Sequence, residues 1–333
     1  MLDFLRKHDL LKLVHHPVLC NYYVTYRCNA KCSFCDIWEK PSPYVNTENA
    51  LQNLKDLKRL GVNVIDFTGG EPLLHRELPE LLKIAKDLGF ITTVTTNALL
   101  YPKMAHKLKG LVDMLHFSLD SPDAETHNKS RGVALFDKFL ESIEVAKTLG
   151  EKPDIIFTVF ENNMNEIETV YSQLSLPNKM MLILNPVFEY NGVGGEIPLK
   201  QLDELADWGK KKLVYINKGF IELRKNGGNH IESPVCNAAS TTIVISPENK
   251  LMLPCYHLGI EELPIDNQLY DLWNSKKVQT LIKLEGKHEK CEGCTVNCYM
   301  QPSFATELSS YWMAALPSTL KYNLVKGTWK EML

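Results

Sequence analysis

Cys28, Cys32 and Cys35 stand at intervals of three and two residues in a loop that directly follows an apolar run. Iron–sulfur clusters are held by cysteine thiolates, and three thiolates on one short loop can bind three irons of a cubane. The remaining nearby thiol, Cys20, falls inside the preceding run, where a buried apolar role is expected. One iron is then left without a protein ligand, and an open coordination position is what separates a catalytic metal site from a structural one. Zinc is the alternative occupant of such a loop, but it takes four ligands.

A second feature follows at the spacing of one strand–helix–strand step. In Thr68-Gly69-Gly70-Glu71-Pro72 two glycines let the backbone approach a ligand closely. Further along, Ser118 and Asp120 end another apolar run and Arg131-Gly132 follows. Ser118 and Asp120 could cap the next helix, and Arg131 could be a solvated charge. A second group of cysteines, Cys236, Cys255, Cys291, Cys294 and Cys298, lies near the other end of the chain. Five thiols suffice for one more cluster with one to spare. A structural zinc site is again the alternative, and which four would ligate is open.

Composition narrows the classes. With 333 residues, 44% of them apolar, the chain can bury a full core. Its 37 basic and 40 acidic residues give a net charge of −3, and no basic stripe invites nucleic acid. Nine cysteines with no secretory h-region argue for metal ligation rather than a disulfide framework. No apolar run reaches the roughly 18 residues needed to span a bilayer. A soluble, cytoplasmic protein is expected.

The elements that must position these residues alternate in type. Strands are predicted at 19–25, 64–67, 91–95, 113–119, 155–160 and 180–187. Between them, helices are predicted at 47–60, 78–88, 102–109, 136–149 and 166–174. Six such units imply a parallel sheet with helices on one face, an α/β fold of the partial (β/α)6 TIM-like barrel type. Chemistry in such folds sits at the carboxyl ends of the strands, where both the cysteine loop and the glycine pair fall. The expected organisation is an N-terminal arm (1–18), the barrel core (19–192), a linker and one long helix (193–232), a cysteine-rich α+β extension (233–300) and an aromatic-rich tail (301–333). Within the extension, 241–246 and 250–254 read as a hairpin and 269–284 as a helix.

With Phe34 before its third cysteine, the loop resembles the signature of the radical S-adenosylmethionine (SAM) superfamily. The resemblance implies a [4Fe–4S] cluster whose open iron chelates SAM, reductive cleavage to a 5′-deoxyadenosyl radical, and hydrogen abstraction from substrate. It assigns Gly69, Gly70, Glu71 and Pro72 to the SAM amino group, and Ser118, Asp120 and Arg131 to the ribose and carboxylate. Asn97, at the same rim, is a weaker candidate. An electron donor such as flavodoxin or ferredoxin is implied as a partner.

The second cysteine group resembles the SPASM/twitch extension, which implies one auxiliary [4Fe–4S] cluster. The full SPASM pattern has two more cysteines, and a glycine where this chain has Asn249-Lys250. Substrate is narrowed only to a small metabolite or a peptide side chain. The short segment before Cys28 leaves no room for a leader-binding domain, and the end Glu331-Met332-Leu333 lacks the Gly-Gly of a molybdopterin-type cyclase. A non-catalytic iron–sulfur scaffold or electron carrier on the same fold is the competing reading. The aromatic tail, from Phe304 to Trp329, is expected to pack as a helix on the core.

Overall fold

The fold was obtained as a computed structural model, which describes residues 11–189, 192–266 and 268–327. One sheet organises the chain. Its first six strands are β1 (Leu19–Thr25), β2 (Val64–Gly69), β3 (Ile91–Thr96), β4 (Met114–Leu119), β5 (Asp154–Val159) and β6 (Leu182–Pro186), parallel and adjacent in sequence order. The helices Thr47–Arg59, Leu78–Asp87, Tyr101–Leu108 and Phe136–Leu149 cover one face. Their apolar stripes meet Cys20, Ile65, Phe67, Phe117 and Phe157, all fully buried. Alternation along the strands then turns Asn21, Asp66, Thr93 and His116 to the concave inner face, or lumen. This is the expected partial barrel, and Cys20 is the buried apolar thiol anticipated.

The sheet is wider than six strands. It runs β10–β9–β8–β1–β2–β3–β4–β5–β6–β7. The long helix expected over 199–225 is instead helix Leu199–Trp208, strand β7 (Val214–Tyr215) and helix Lys218–Lys225. Leu213 adopts φ 58° just before β7, a conformation no helix interior tolerates. Val214 then pairs with Leu182 and extends the parallel sheet.

On the other side, β8 (Thr242–Ile245) lies parallel to β1, with Leu19 opposite Thr242. β9 (Lys250–Leu253) and β10 (Glu261–Pro264) follow antiparallel. The hairpin turn survives without glycine because Asn249 takes φ 59°. The cysteine-rich extension therefore shares the barrel's own sheet. Its expected helix 269–284 is broken at Ser275, whose side chain caps Lys276–Ile282.

The tail does pack as a helix, Ser310–Lys326, against Lys218–Lys225 and the base of the barrel. There Tyr322 donates to Asp154 at 2.7 Å and Lys326 pairs with the same carboxylate at 2.9 Å. Trp329, residues 1–10 of the expected arm, and the terminal Glu331-Met332-Leu333 lie outside the described residues. No helix among the described residues is long and apolar enough to cross a membrane.

Candidate iron–sulfur and cofactor site

The three-cysteine loop leaves the carboxyl end of β1 and is fastened on two sides. Lys31 and Ser33 donate backbone N–H groups to the carbonyls of Arg131 and Ser130, at 2.9 and 3.1 Å. On the other flank, Gly70 and Glu71 donate to the carbonyls of Thr25 and Arg27 at 2.9 Å. Glycine is required at this junction. Gly69 has φ +150°, and a Cβ there would lie 2.0 Å from the Thr25 carbonyl oxygen. At Gly70 a Cβ would come within 2.4 Å of the Tyr26 and Arg27 carbonyls. Gly132, φ +66°, leans on the Lys31 carbonyl in the same way. Pro72 then opens a short 3-10 turn, Pro72–Leu74.

Glu71 is buried, and its carboxylate turns inward. It accepts from Leu73 N–H at 3.1 Å, Thr96 Oγ1 at 2.7 Å and Asn97 N–H at 2.8 Å. Burial nevertheless raises it to about 6. Glu71 thus joins the ends of β2 and β3. Asn97 continues the chain of contacts, donating through Nδ2 to Asn29 of the cysteine loop at 2.7 Å.

Asp120 and Arg131 meet as a buried ion pair, Arg131 Nη2 to Asp120 Oδ1 at 2.6 Å, with Ser130 Oγ donating to the other carboxylate oxygen at 2.8 Å. The helix Ala124–Arg131 that carries the arginine begins at Asp123, whose side chain accepts from Thr126 N–H. Ser118 and Asp120, for which capping was the alternative to a cofactor role, do not cap it. Arg131 also sets Nη1 3.8 Å from Cys32 Sγ and lies over the Phe34 ring at 5.5 Å. Phe34 in turn meets Phe160 edge-on at 5.2 Å. Ser118 sits on the inward face of β4, half-buried.

Burial raises the thiols of Cys28, to about 12, and of Cys32, with the Arg131 charge pulling Cys32 back. Thiols this reluctant to ionise become thiolates when a metal cation binds them. The chemistry of this donor set, three thiols on a loop pinned to glycine-rich backbone beside a buried guanidinium, fits an iron–sulfur cluster with an open iron.

The family model of the radical SAM superfamily matches residues 22–174. The chain carries a radical SAM domain. That span covers the cysteine loop, the Gly69-Gly70-Glu71 turn, Asp120 and Arg131. Among curated proteins, a probable GTP 3′,8-cyclase of Saccharolobus islandicus is 33% identical over 190 residues, 55% of this chain and 61% of that protein. An Fe-coproporphyrin III synthase of Methanosarcina barkeri is 34% identical over 157 residues, 45% of this chain and 39% of its own. The chain thus spans less than two thirds of these relatives. Among solved structures, SuiB of Streptococcus suis bound to S-adenosylmethionine superposes with a TM-score of 0.66 at 19% identity, covering 93% of this chain and 79% of that one. Native anSMEcpe with bound AdoMet gives 0.61 at 20% identity, covering 92% and 97%. These two likenesses establish a common fold.

Beyond the radical SAM domain, Cys236, Cys255, Cys291 and Cys294 line one cavity with Pro254, Val296 and Tyr299. Cys298 is not among its walls. Burial raises Cys255 to about 12 and raises the other three thiols as well. Among the described residues no group of three or more His, Cys, Asp or Glu side chains gathers around a point that one metal ion could occupy.

Sequence reasoning missed the residue that assembles this cavity. Asn229, fully buried, donates to the carbonyls of Gly286 and Cys291 and accepts from Val235 and Cys236 N–H. A lone asparagine after a Gly-Gly pair reads as turn chemistry, so nothing local marks it. Tyr23, Tyr26, Tyr256 and Tyr299 belong to one buried cluster against which Cys35, Cys236, Cys255 and Cys294 all pack.

Proposed function

We propose that this chain is a radical SAM enzyme acting on a small metabolite or a peptide side chain. Cys28, Cys32 and Cys35 would hold the [4Fe–4S] cluster. When bound and reduced, that cluster supplies the electron that splits the SAM sulfonium and releases a 5′-deoxyadenosyl radical. The observation that carries the reading is the position of the three thiols. They sit at the carboxyl rim of parallel strands, between the Gly69–Gly70 turn and the Arg131 guanidinium.

In this reading the residues of the rim orient and hold. Backbone carbonyls at the glycine turn face the SAM amino group, and Glu71, its oxygens already occupied, keeps that turn in register. Asp120 fixes Arg131, which is free to direct its remaining N–H groups at a carboxylate. Asn97 and Ser118 border the same space. Cys236, Cys255, Cys291 and Cys294 would hold one auxiliary [4Fe–4S] cluster, supported by their shared cavity. The buried cluster of four tyrosines, with Cys35 and three of the later cysteines packed against it, would give both groups apolar surroundings. A flavodoxin or ferredoxin would supply the electrons.

The test is anaerobic reconstitution, reduction with dithionite and measurement of 5′-deoxyadenosine. Turnover of SAM is expected, and a protein that holds its iron but forms no 5′-deoxyadenosine would be a scaffold or electron carrier instead. Replacing Cys28, Cys32 and Cys35 together by Ala should abolish product and leave roughly half the iron.

A further inference from the structure

The fifth cysteine of the second group lies apart from the other four, and its surroundings give it a different role. Cys298 stands in the first turn of the helix Asn297–Thr306. Its neighbours hold it across the open side of the barrel. Asn297 Nδ2 donates to Asn185 Oδ1 on β6 at 2.7 Å, while Tyr299 packs with Tyr23 of β1. Cys298 is the one cysteine of the nine that is exposed, yet burial pushes its thiol up to about 11. Both hold together if the thiol faces a concave space, open to solvent and walled by protein.

Asp66 lies on the inward face of the sheet, close enough for its charge to raise the Cys298 thiol. It is the third residue of β2, between Asn21 and Thr93 on the inward face, and its charge is felt by Cys298. It lies three residues below Gly69, about 10 Å along the strand from the proposed SAM turn. Its Oδ1 is shut off from solvent and has no hydrogen-bond partner; burial raises the carboxyl to about 7, against a side-chain hydrogen bond from Thr93 that lowers it. A buried charge without a counter-ion is costly. Two other carboxylates of the barrel interior have a cation against them, Lys326 at Asp154 and Arg131 at Asp120, and Glu71 is held by three hydrogen bonds. His116 is held neutral, its value lowered to about 4 by burial. Among the described residues Asp66 thus has neither a cation against it nor a full set of hydrogen bonds.

We infer that the lumen between Asp66 and Cys298 is the substrate chamber, and that Asp66 receives a cationic amino group of the substrate while the Cys298 thiol lines the opposite wall. This deepens the proposed function and rests on it for the radical chemistry, but the chamber can be tested without turnover.

The probe is methyl methanethiosulfonate. The Cys298 thiolate attacks its sulfenyl sulfur, methanesulfinate leaves, and a methyl disulfide is read by mass spectrometry on the reconstituted protein. Cys298 should be modified while Cys20 is spared, and Cys298→Ser should abolish the adduct with iron content unchanged. Pentylamine should protect Cys298 and pentanoate should not. Asp66→Asn should raise the half-protecting amine concentration about tenfold, the equivalent of about 1.4 kcal/mol.

Equal protection by amine and carboxylate, an unreactive Cys298, or loss of iron in Cys298→Ser would each overturn the inference. Production of 5′-deoxyadenosine, read separately on the unmodified protein, decides the proposed function. A protein that cleaves SAM without amine-selective protection keeps that function and loses this chamber.

Discussion

Nη1 of Arg131 stands 3.8 Å from the Sγ of Cys32. The contact places a fixed positive charge beside one thiol of the loop, and the arginine is held there by Asp120. Because both partners of that ion pair are almost wholly buried, removing the carboxylate strands a cation. Asp120→Ala should destabilise the protein by about 3–5 kcal/mol, measured by urea unfolding, and should weaken SAM binding. A loss under about 1 kcal/mol would mean that the pair behaves as a solvated surface bridge.

Gly70 leaves no room for a side chain against the Arg27 and Tyr26 carbonyls. Gly70→Ala must push the glycine turn off the cysteine loop, because the obstructing atoms are backbone. The expected outcome is loss of SAM-dependent product together with a loss of unfolding free energy of about 1–3 kcal/mol. A variant of native stability and activity would show that the two loops are not in contact.

Asn229 makes four hydrogen bonds that tie Cys236 and Cys291 to one cavity. Asn229→Ala leaves buried N–H and C=O groups unpaired, at about 1–3 kcal/mol for each group affected. Iron analysis should show roughly half the iron lost, with the electron paramagnetic resonance signal of the reduced SAM-binding cluster retained. Full iron retention would separate Asn229 from the auxiliary site.

His116 gives a pH prediction. Burial lowers it to about 4 from 6.5. The unfolded chain therefore takes up the proton first as pH falls, and the stabilisation present above about 6.5 is lost on the way down to 4. At 1.36 kcal/mol per pH unit the loss is about 3 kcal/mol. His116→Gln should lose less stability than the parent between pH 7 and 4.5, by urea titration. Parallel curves would show that His116 is hydrated in the folded state.

The barrel was legible because short apolar or β-branched runs alternate with amphipathic helices, most of them closed by a glycine, as at Phe136–Leu149 and Gly150. The rim residues were legible as types: Gly69, Gly70, Arg131 and the three thiols all lie together. Their partners were not. Glu71 spends its oxygens on Leu73, Thr96 and Asn97, and Asp120 spends its own on Ser130 and Arg131. Such internal pairing depends on strand register, which no local pattern encodes. β7 escaped notice because two residues show no periodicity. The parting of Cys298 from the other four cysteines arises from the tertiary path of the helix Asn297–Thr306, not from spacing.

β1 is flanked by β2 on one side and by β8 on the other, and the latter partner lies more than two hundred residues further along the chain. A nascent polypeptide that has not yet passed Ile245 leaves β1 with a bare edge, one that invites pairing with other chains. Contacts of such sequence separation also form slowly. The loop that carries Cys28, Cys32 and Cys35 hangs from that unfinished edge until residue 245 has been made, so the order in which the chain emerges leaves this cysteine loop open on its β8 side after the neighbouring strands β2 to β6 are already available for pairing.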